Sequence, residues 1–163
     1  MMAAAGGHQG VLEWARASGC PWDEWTCAWA AESGHLELLQ WVRASGCPWN
    51  AKTCSGAALG GHLGVLQWAH AHGCPWDAET CGCAAAEGHL DLLRWAHANG
   101  CPMDFTCGMW AARAGQLEVL EWLLANGGQS MLVPPPQNVD LGAGGADDDD
   151  DGGGGGDDDE PVF

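Results

Sequence analysis

The chain has 163 residues, of which 47% are apolar, and a net charge of −17, because 22 acidic residues stand against only 5 Lys and Arg. Ten of the acidic residues lie between Asp140 and Glu160, where there is no basic residue, so the part up to Gly128 has 12 acidic and 5 basic residues, a charge of −7. Neither part offers a basic stripe for phosphate groups, which excludes direct nucleic-acid binding from the predicted functions.

The N-terminus, from Met1 to His8, lacks the basic start and the apolar run of a signal peptide. No apolar stretch of the sequence reaches the ~18–20 residues of a membrane span. We therefore expect an intracellular protein, cytoplasmic or nuclear, with no insertion into a membrane. In that reducing environment the nine Cys are expected to be thiols.

Three sets of residues recur along the chain at a spacing of 27 residues. Gly-Cys-Pro-Trp begins at Gly19 and returns twice, and Gly-Cys-Pro-Met follows at Gly100. Gly-His recurs from Gly7 onward, with Gly-Gln as its fifth instance, and a single Trp recurs from Trp14 to Trp122. Because three sets of residues share one period, the sequence indicates a repeat protein.

Each repeat is predicted to contain two helices. Leu38, Trp41 and Val42 stand at i, i+3 and i+4, which places them on one face of a helix that ends at Gly46. Residues 26–33 predict a shorter first helix upstream of it. A unit of this size cannot bury its own apolar face, so neighbouring units must stack. The predicted fold is all-α, a solenoid of stacked helix–turn–helix repeats joined by short loops.

The residues around Gly-His resemble the ankyrin repeat, which contains Ala-Ala-x-x-Gly-His before an apolar second helix. Residues 30–35 and 57–62 match that pattern, although the period of 27 is shorter than the ~33 residues of ankyrin repeats. The missing residues are those of the ankyrin β-hairpin finger. The resemblance covers residues 1–128, as a partial first unit and four fuller units at approximately 23–49, 50–76, 77–103 and 104–128.

Residues 129–163 differ in composition from the repeats, since they are rich in Pro, Gly and Asp. Such a segment has too little apolar surface to form a core, so we expect a disordered acidic tail. Solvation is its simplest role. Attraction of a basic partner and competition for the binding face of the repeats are two further possibilities.

The Cys and His residues leave two interpretations open. Cys20 and Cys27 have six residues between them, a wider spacing than zinc sites use, and the Cys recur at equivalent places in each unit, as core residues do. We expect buried core thiols, with a metal-binding or redox protein as the alternative function. His35 and its equivalents are predicted to cap the turn before the second helix. Trp41 and its equivalents are predicted to lie in the core.

No set of nucleophile, base and orienting group is evident, so the sequence predicts neither an enzyme nor a cofactor nor a metal. The ankyrin resemblance implies a protein–protein interaction module that binds a protein partner through the concave face of its repeats. Positions that vary between units are the candidates for binding, with Trp25 and Phe105 as the main anchors, and Trp25 is the Trp that we most expect to be exposed. The predicted partner-binding residues are Glu24, Trp25, Glu32, Ser33, Ala51, Lys52, Leu59, Ala78, Glu79, Glu87, Phe105 and Arg113.

Overall fold

The computed structural model describes residues 2–127, and this part of the chain forms helices without any strand. The prediction of a disordered tail lies outside the described residues. Among the helices of the described part, none is long and apolar enough to cross a bilayer. Their bounds are α1 (Met2–Ala5), α2 (Gln9–Ala17), α3 (Glu24–Glu32), α4 (Leu36–Ala44), α5 (Ala51–Leu59), α6 (Leu63–Ala71), α7 (Ala78–Ala86), α8 (Leu90–Ala98), α9 (Phe105–Ala114) and α10 (Leu117–Gly127).

The helices follow one another in pairs, with the odd-numbered first helices and the even-numbered second helices alternating along the chain. Each first helix packs against the second helix of its own pair and against the first helix of the next pair. The all-helical prediction is confirmed. The core combines small residues of the first helices with Leu of the second helices, all fully buried: Ala30, Ala57, Ala84, Leu39, Leu66 and Leu93.

Small residues are needed because neighbouring first helices approach one another closely. A Cβ atom added to Gly56 in α5 would lie 2.8 Å from the carbonyl oxygen of Ala28 in α3. Such a distance is shorter than any normal contact, so only glycine allows this approach. The spacing between α3 and α5 at this point is thereby set by backbone contact.

Four first helices begin at a polar cap that the sequence analysis did not identify. The carboxylate of Asp23 accepts a hydrogen bond from the backbone N–H of Thr26 at 3.0 Å, and Asn50, Asp77 and Asp104 cap their helices in a similar way. The cap satisfies an N–H group that has no partner within the helix. The prediction of a shorter first helix was wrong, because the caps start these helices two residues earlier and give α3 the same nine residues as α4.

Glycine ends both helices of a pair. Gly34 follows the first helix with φ of 75°, and Gly46 follows the second with φ of 83°, a region that favours glycine. The N–H of Cys47 donates to the carbonyl oxygen of Val42 at 3.0 Å, which closes the last turn of α4 as in a Schellman motif. The predicted helix end at Gly46 is confirmed.

The His residues before the second helices connect neighbouring repeats instead of capping their own helices, so the predicted cap was wrong. None of the four described His at this position makes a side-chain cap. The Nε2–H of His35 donates to the carbonyl oxygen of Ala5 at 3.1 Å, and that of His89 donates to Leu59 at 3.2 Å. These carbonyls end the preceding first helix, where they lack a partner within that helix. Gln116 makes the equivalent bond.

The recurring Trp residues were predicted to lie in the core, and the structure places them at its edge, where four are half-buried against it and Trp14 is exposed. Trp41 is half-buried because Leu39 and Val42 fill the centre of the buried face of α4. Its ring packs edge-on against Trp22 of the preceding loop, with 6.0 Å between ring centroids. The same edge-on pairing repeats at 5.8 Å between Trp49 and Trp68 and between Trp76 and Trp95.

Candidate partner-binding surface

The side of the first helices that faces away from the second helices forms one continuous surface. Residues at i, i+4 and i+7 of a helix share one face, and three such positions recur in α3, α5, α7 and α9. We call this array the first-helix surface. Its members are Trp25, Trp29, Glu32, Lys52, Gly56, Leu59, Glu79, Cys83, Ala86, Thr106, Trp110 and Arg113.

Two shallow grooves lie on the first-helix surface. The first has a volume of about 290 Å³ and runs between Leu59 on α5 and Trp110 on α9, over Gly82 and Cys83. The second has a volume of about 140 Å³ and lies between Trp29 and Leu59, with Gly56 in its floor. Glycine in these floors leaves open space between larger apolar side chains, so each groove can take up a protruding apolar group.

Six of the predicted partner-binding residues belong to the first-helix surface: Trp25, Glu32, Lys52, Leu59, Glu79 and Arg113. Glu87 follows α7 and lines the larger groove. The other five are half-buried and line neither groove: Glu24, Ser33, Ala51, Ala78 and Phe105. The prediction had taken residues in adjacent pairs, and adjacent residues of a helix point in different directions. By the 27-residue period Phe105 is equivalent to Glu24, and Thr106 is the residue equivalent to Trp25.

The sequence analysis missed half of this surface, including Trp29, Cys83 and Trp110. These three residues occupy the position immediately before the Ala-Ala pair, which varies between repeats and lies four residues after the position of Trp25. Trp110 is 42% exposed and Trp25 is 41% exposed, whereas Trp14, outside this surface, is 70% exposed. Trp25 is exposed, as predicted, although Trp14 and Trp110 are more exposed. Variability combined with helical spacing would have identified the missed residues.

Charged and aromatic side chains alternate across the surface. Trp25 and Trp29 have ring centroids 6.1 Å apart. The ammonium of Lys52 is 5.6 Å from the Trp25 ring centroid and 3.7 Å from the Glu79 carboxylate. Exposed ion pairs of this kind contribute little to stability, so these charges are free to rearrange around a bound group. Arg113 is 5.8 Å from the Trp110 ring centroid.

Most Cys side chains lie in the core, as predicted. Seven of the nine are buried, Cys83 is half-buried and Cys20 is exposed. Burial raises the pKa of the Cys83 thiol and that of the Cys107 thiol to about 11. A thiol with a raised pKa stays protonated at neutral pH, and the protonated form is a poor nucleophile and metal ligand. Over residues 2–127, no group of three or more His, Cys, Asp or Glu has the geometry to hold a metal ion.

Comparison with protein-family models gives no match to this chain, and comparison with curated proteins gives none either.

Proposed function

We propose that this chain is a non-catalytic protein-binding module, an ankyrin-type solenoid that engages its partner through the first-helix surface. The observation that supports the proposal best is the larger groove, where exposed Leu59 and Trp110 flank a floor formed by Gly82 and Cys83. Aromatic side chains at the rim of an apolar groove are typical of residues that dominate protein interfaces. Leu59 and Trp110 are both carried by helices that pack against their neighbours.

The charges around the groove favour a partner segment that combines an apolar side chain with basic residues. Glu79 and Glu87 line the larger groove, and Glu32, Glu79 and Lys52 line the smaller one. The acidic residues of the whole chain outnumber the basic residues by 22 to 5. This excess attracts a basic partner over a distance and speeds its association, while the apolar groove provides affinity.

Repetition supports a binding role over a catalytic role. A catalytic or metal site requires unlike residues that converge on one point, whereas most of the Cys and His of this chain recur at equivalent positions in successive repeats. Their contacts in the structure hold repeats together: His35 bonds to Ala5, and the thiol of Cys74 donates to the Asn50 carbonyl oxygen at 3.4 Å. We therefore assign them to the scaffold.

The proposal is tested by selecting a library of displayed random peptides against the full chain. We expect the enriched peptides to carry an aromatic or aliphatic residue flanked by Lys or Arg. Trp110→Ala and Glu87→Lys should each weaken the binding of an enriched peptide, the Trp change by about tenfold or more, as for interface hot spots. Fluorescence anisotropy of the labelled peptide measures the affinity.

Two matched variants serve as controls, each with the same chemical change on a second helix. Trp14 and Glu121 are exposed on α2 and α10, so Trp14→Ala and Glu121→Lys should leave peptide affinity unchanged. The proposal is wrong if the control variants weaken binding as much as the groove variants do, or if selection enriches no common motif.

A further inference from the structure

The N-terminal end of the helix stack exposes a residue that the other repeats bury. Val11 on α2 is 53% exposed, whereas its equivalents are at most 4% exposed: Leu38, Val65, Leu92 and Val119. Val119 belongs to the last pair of described helices, which has a preceding repeat but no following one within residues 2–127. This position is therefore covered by the preceding repeat. Within the described residues, no repeat precedes the one that contains Val11.

The C-terminal end shows the opposite pattern. Ala112 on α9 is exposed, whereas its equivalents are at most 1% exposed: Ala4, Ala31, Ala58 and Ala85. Ala4 belongs to the first described pair, which has a following repeat only. This position is therefore covered by the following repeat. Met109, 47% exposed on the same helix, extends the open apolar surface around Ala112.

The contact between His or Gln and glycine differs at the two ends in the same way. Within the stack, a Cβ atom added to Gly88 would lie 2.4 Å from the side chain of Gln116 in the next repeat. Gly115 has the same left-handed backbone, with φ of 72°, but no described atom lies within 4 Å of its Cβ position. At the other end His8 is exposed, although its equivalents His35 and Gln116 bond to a preceding repeat.

We propose that copies of this chain stack end to end, with the N-terminal end face of one copy on the C-terminal end face of the next. The N-terminal end face consists of His8, Val11 and Trp14, and the C-terminal end face consists of Met109, Ala112 and Gly115. Each boundary between repeats within the chain already joins the equivalents of His8 and Gly115, so the new interface continues an interface present in the structure. Stacking buries the apolar side chains that both ends expose to water.

A second copy suits the C-terminal end face better than residues 129–163 of the same chain. The repeating residues do not continue into the tail, which has Ala143 and Asp149 where the period would place the next His or Gln and the next Trp. Because the two joined faces differ, the contact is heterologous and leaves one free end of each kind, so assembly grows with concentration instead of stopping at a dimer. The net charge of −17 opposes it, and added salt should favour it by screening that repulsion.

The test uses sedimentation velocity of the full chain at high salt over a range of protein concentrations. We expect the mean mass to rise continuously above the 17.0 kDa of one chain. Val11→Glu removes one end face and Ala112→Glu removes the other, and both residues are exposed in the single chain, so folding should be unaffected. Each variant alone should remain monomeric. Gln67→Glu, the same charge change at an exposed position of α6, should assemble like the parent.

Mixing the two variants gives the decisive result. Val11→Glu retains an intact C-terminal end face and Ala112→Glu retains an intact N-terminal end face, so the mixture should form a one-to-one dimer and nothing larger. The inference is overturned if the parent stays monomeric at all concentrations, if it forms a dimer that survives either substitution, or if the mixture contains no heterodimer. This experiment is independent of peptide binding, so the two proposals succeed or fail separately.

Discussion

The imidazole of His89 lies directly against Gly61 of the preceding repeat. A Cβ atom on Gly61 would be 2.5 Å from Cε1 of His89, and the Nε2–H of His89 donates to the carbonyl oxygen of Leu59 at 3.2 Å. One glycine thus serves two purposes: its φ of 71° turns the chain between two helices, and its missing side chain makes room for the next repeat. The glycine of the Gly-His pair in one repeat therefore contacts the histidine of the Gly-His pair in the next repeat.

Gly61→Ala should destabilise the protein more than Gly73→Ala does. Both glycines have a positive φ, 71° and 80°, so alanine costs about 1 kcal/mol at either position through backbone strain alone. Only Gly61 has the His89 ring in the way, since no atom lies within 4 Å of the Cβ position at Gly73. Urea unfolding should show a larger loss for Gly61→Ala, and His89→Ala should remove most of the difference. Equal losses for the two glycines would contradict this account.

Gly56→Ala and Gly82→Ala should change stability in opposite directions. Both glycines lie inside first helices, where alanine is favoured by about 1 kcal/mol. At Gly82 the new methyl would make an ordinary contact, 3.5 Å from Cδ1 of Trp110, so the melting temperature should rise. At Gly56 it would lie 2.8 Å from the Ala28 carbonyl oxygen, and separating two helices should cost about 1–3 kcal/mol. A rise in the melting temperature for Gly56→Ala as well would mean that α3 and α5 are further apart.

Trp68→Ala should cost about 3 kcal/mol, at the low end of the range for Trp-to-Ala changes because the side chain is half-buried. Its ring packs against Trp49 and stacks on His72, with centroids 5.8 Å and 4.4 Å away. Trp14 occupies the equivalent position but is 70% exposed, so Trp14→Ala should change the free energy of unfolding by less than about 0.5 kcal/mol. If urea unfolding shows similar losses of stability for Trp68→Ala and Trp14→Ala, packing against a loop Trp such as Trp49 does not stabilise the second helices.

Stability should fall as the pH rises above 9. Burial raises the pKa of the Cys107 thiol from 9.0 to about 11. The unfolded chain therefore releases this proton at a lower pH than the folded chain, and the stabilisation present below pH 9.0 is lost as the pH rises through about 11. The slope contributed by this thiol is at most about 1.4 kcal/mol per pH unit. We expect urea unfolding between pH 9.0 and about 11 to show that the free energy of unfolding declines less steeply with pH for Cys107→Ala than for Cys20→Ala. Identical slopes would contradict the prediction.

The sequence predicted the helices well because period and helix ends are encoded locally. Gly34 and Gly46 end helices through their own backbone freedom, and the 27-residue spacing needs no knowledge of packing. The role of His35 was not predictable in this way, because its acceptor at Ala5 is 30 residues distant and becomes a neighbour only when the repeats stack. A capping role and a bridging role leave the same sequence pattern.

The candidate surface was only partly predictable for a related reason. Variation between repeats identified Trp25 and Glu79, but it gave no direction for each side chain, so half-buried Phe105 was grouped with Trp25. The caps show where each first helix begins, and this start determines which of its residues share one face. Asp23 and its equivalents could have given that phase, because their spacing is visible in the sequence. Trp110 would then have been placed on the same face as Trp25.

Binding through the first-helix surface is tested most directly by site-specific photo-crosslinking of the full chain in cells that express it. A benzophenone amino acid placed at position 29 or position 110 lies on that surface, and one placed at position 14 or position 67 lies on exposed second-helix positions. We predict that positions 29 and 110 crosslink to the same partner protein, and that Glu87→Lys reduces the yield at both. Crosslinking of that partner from positions 14 and 67, with none from 29 and 110, would contradict the assignment.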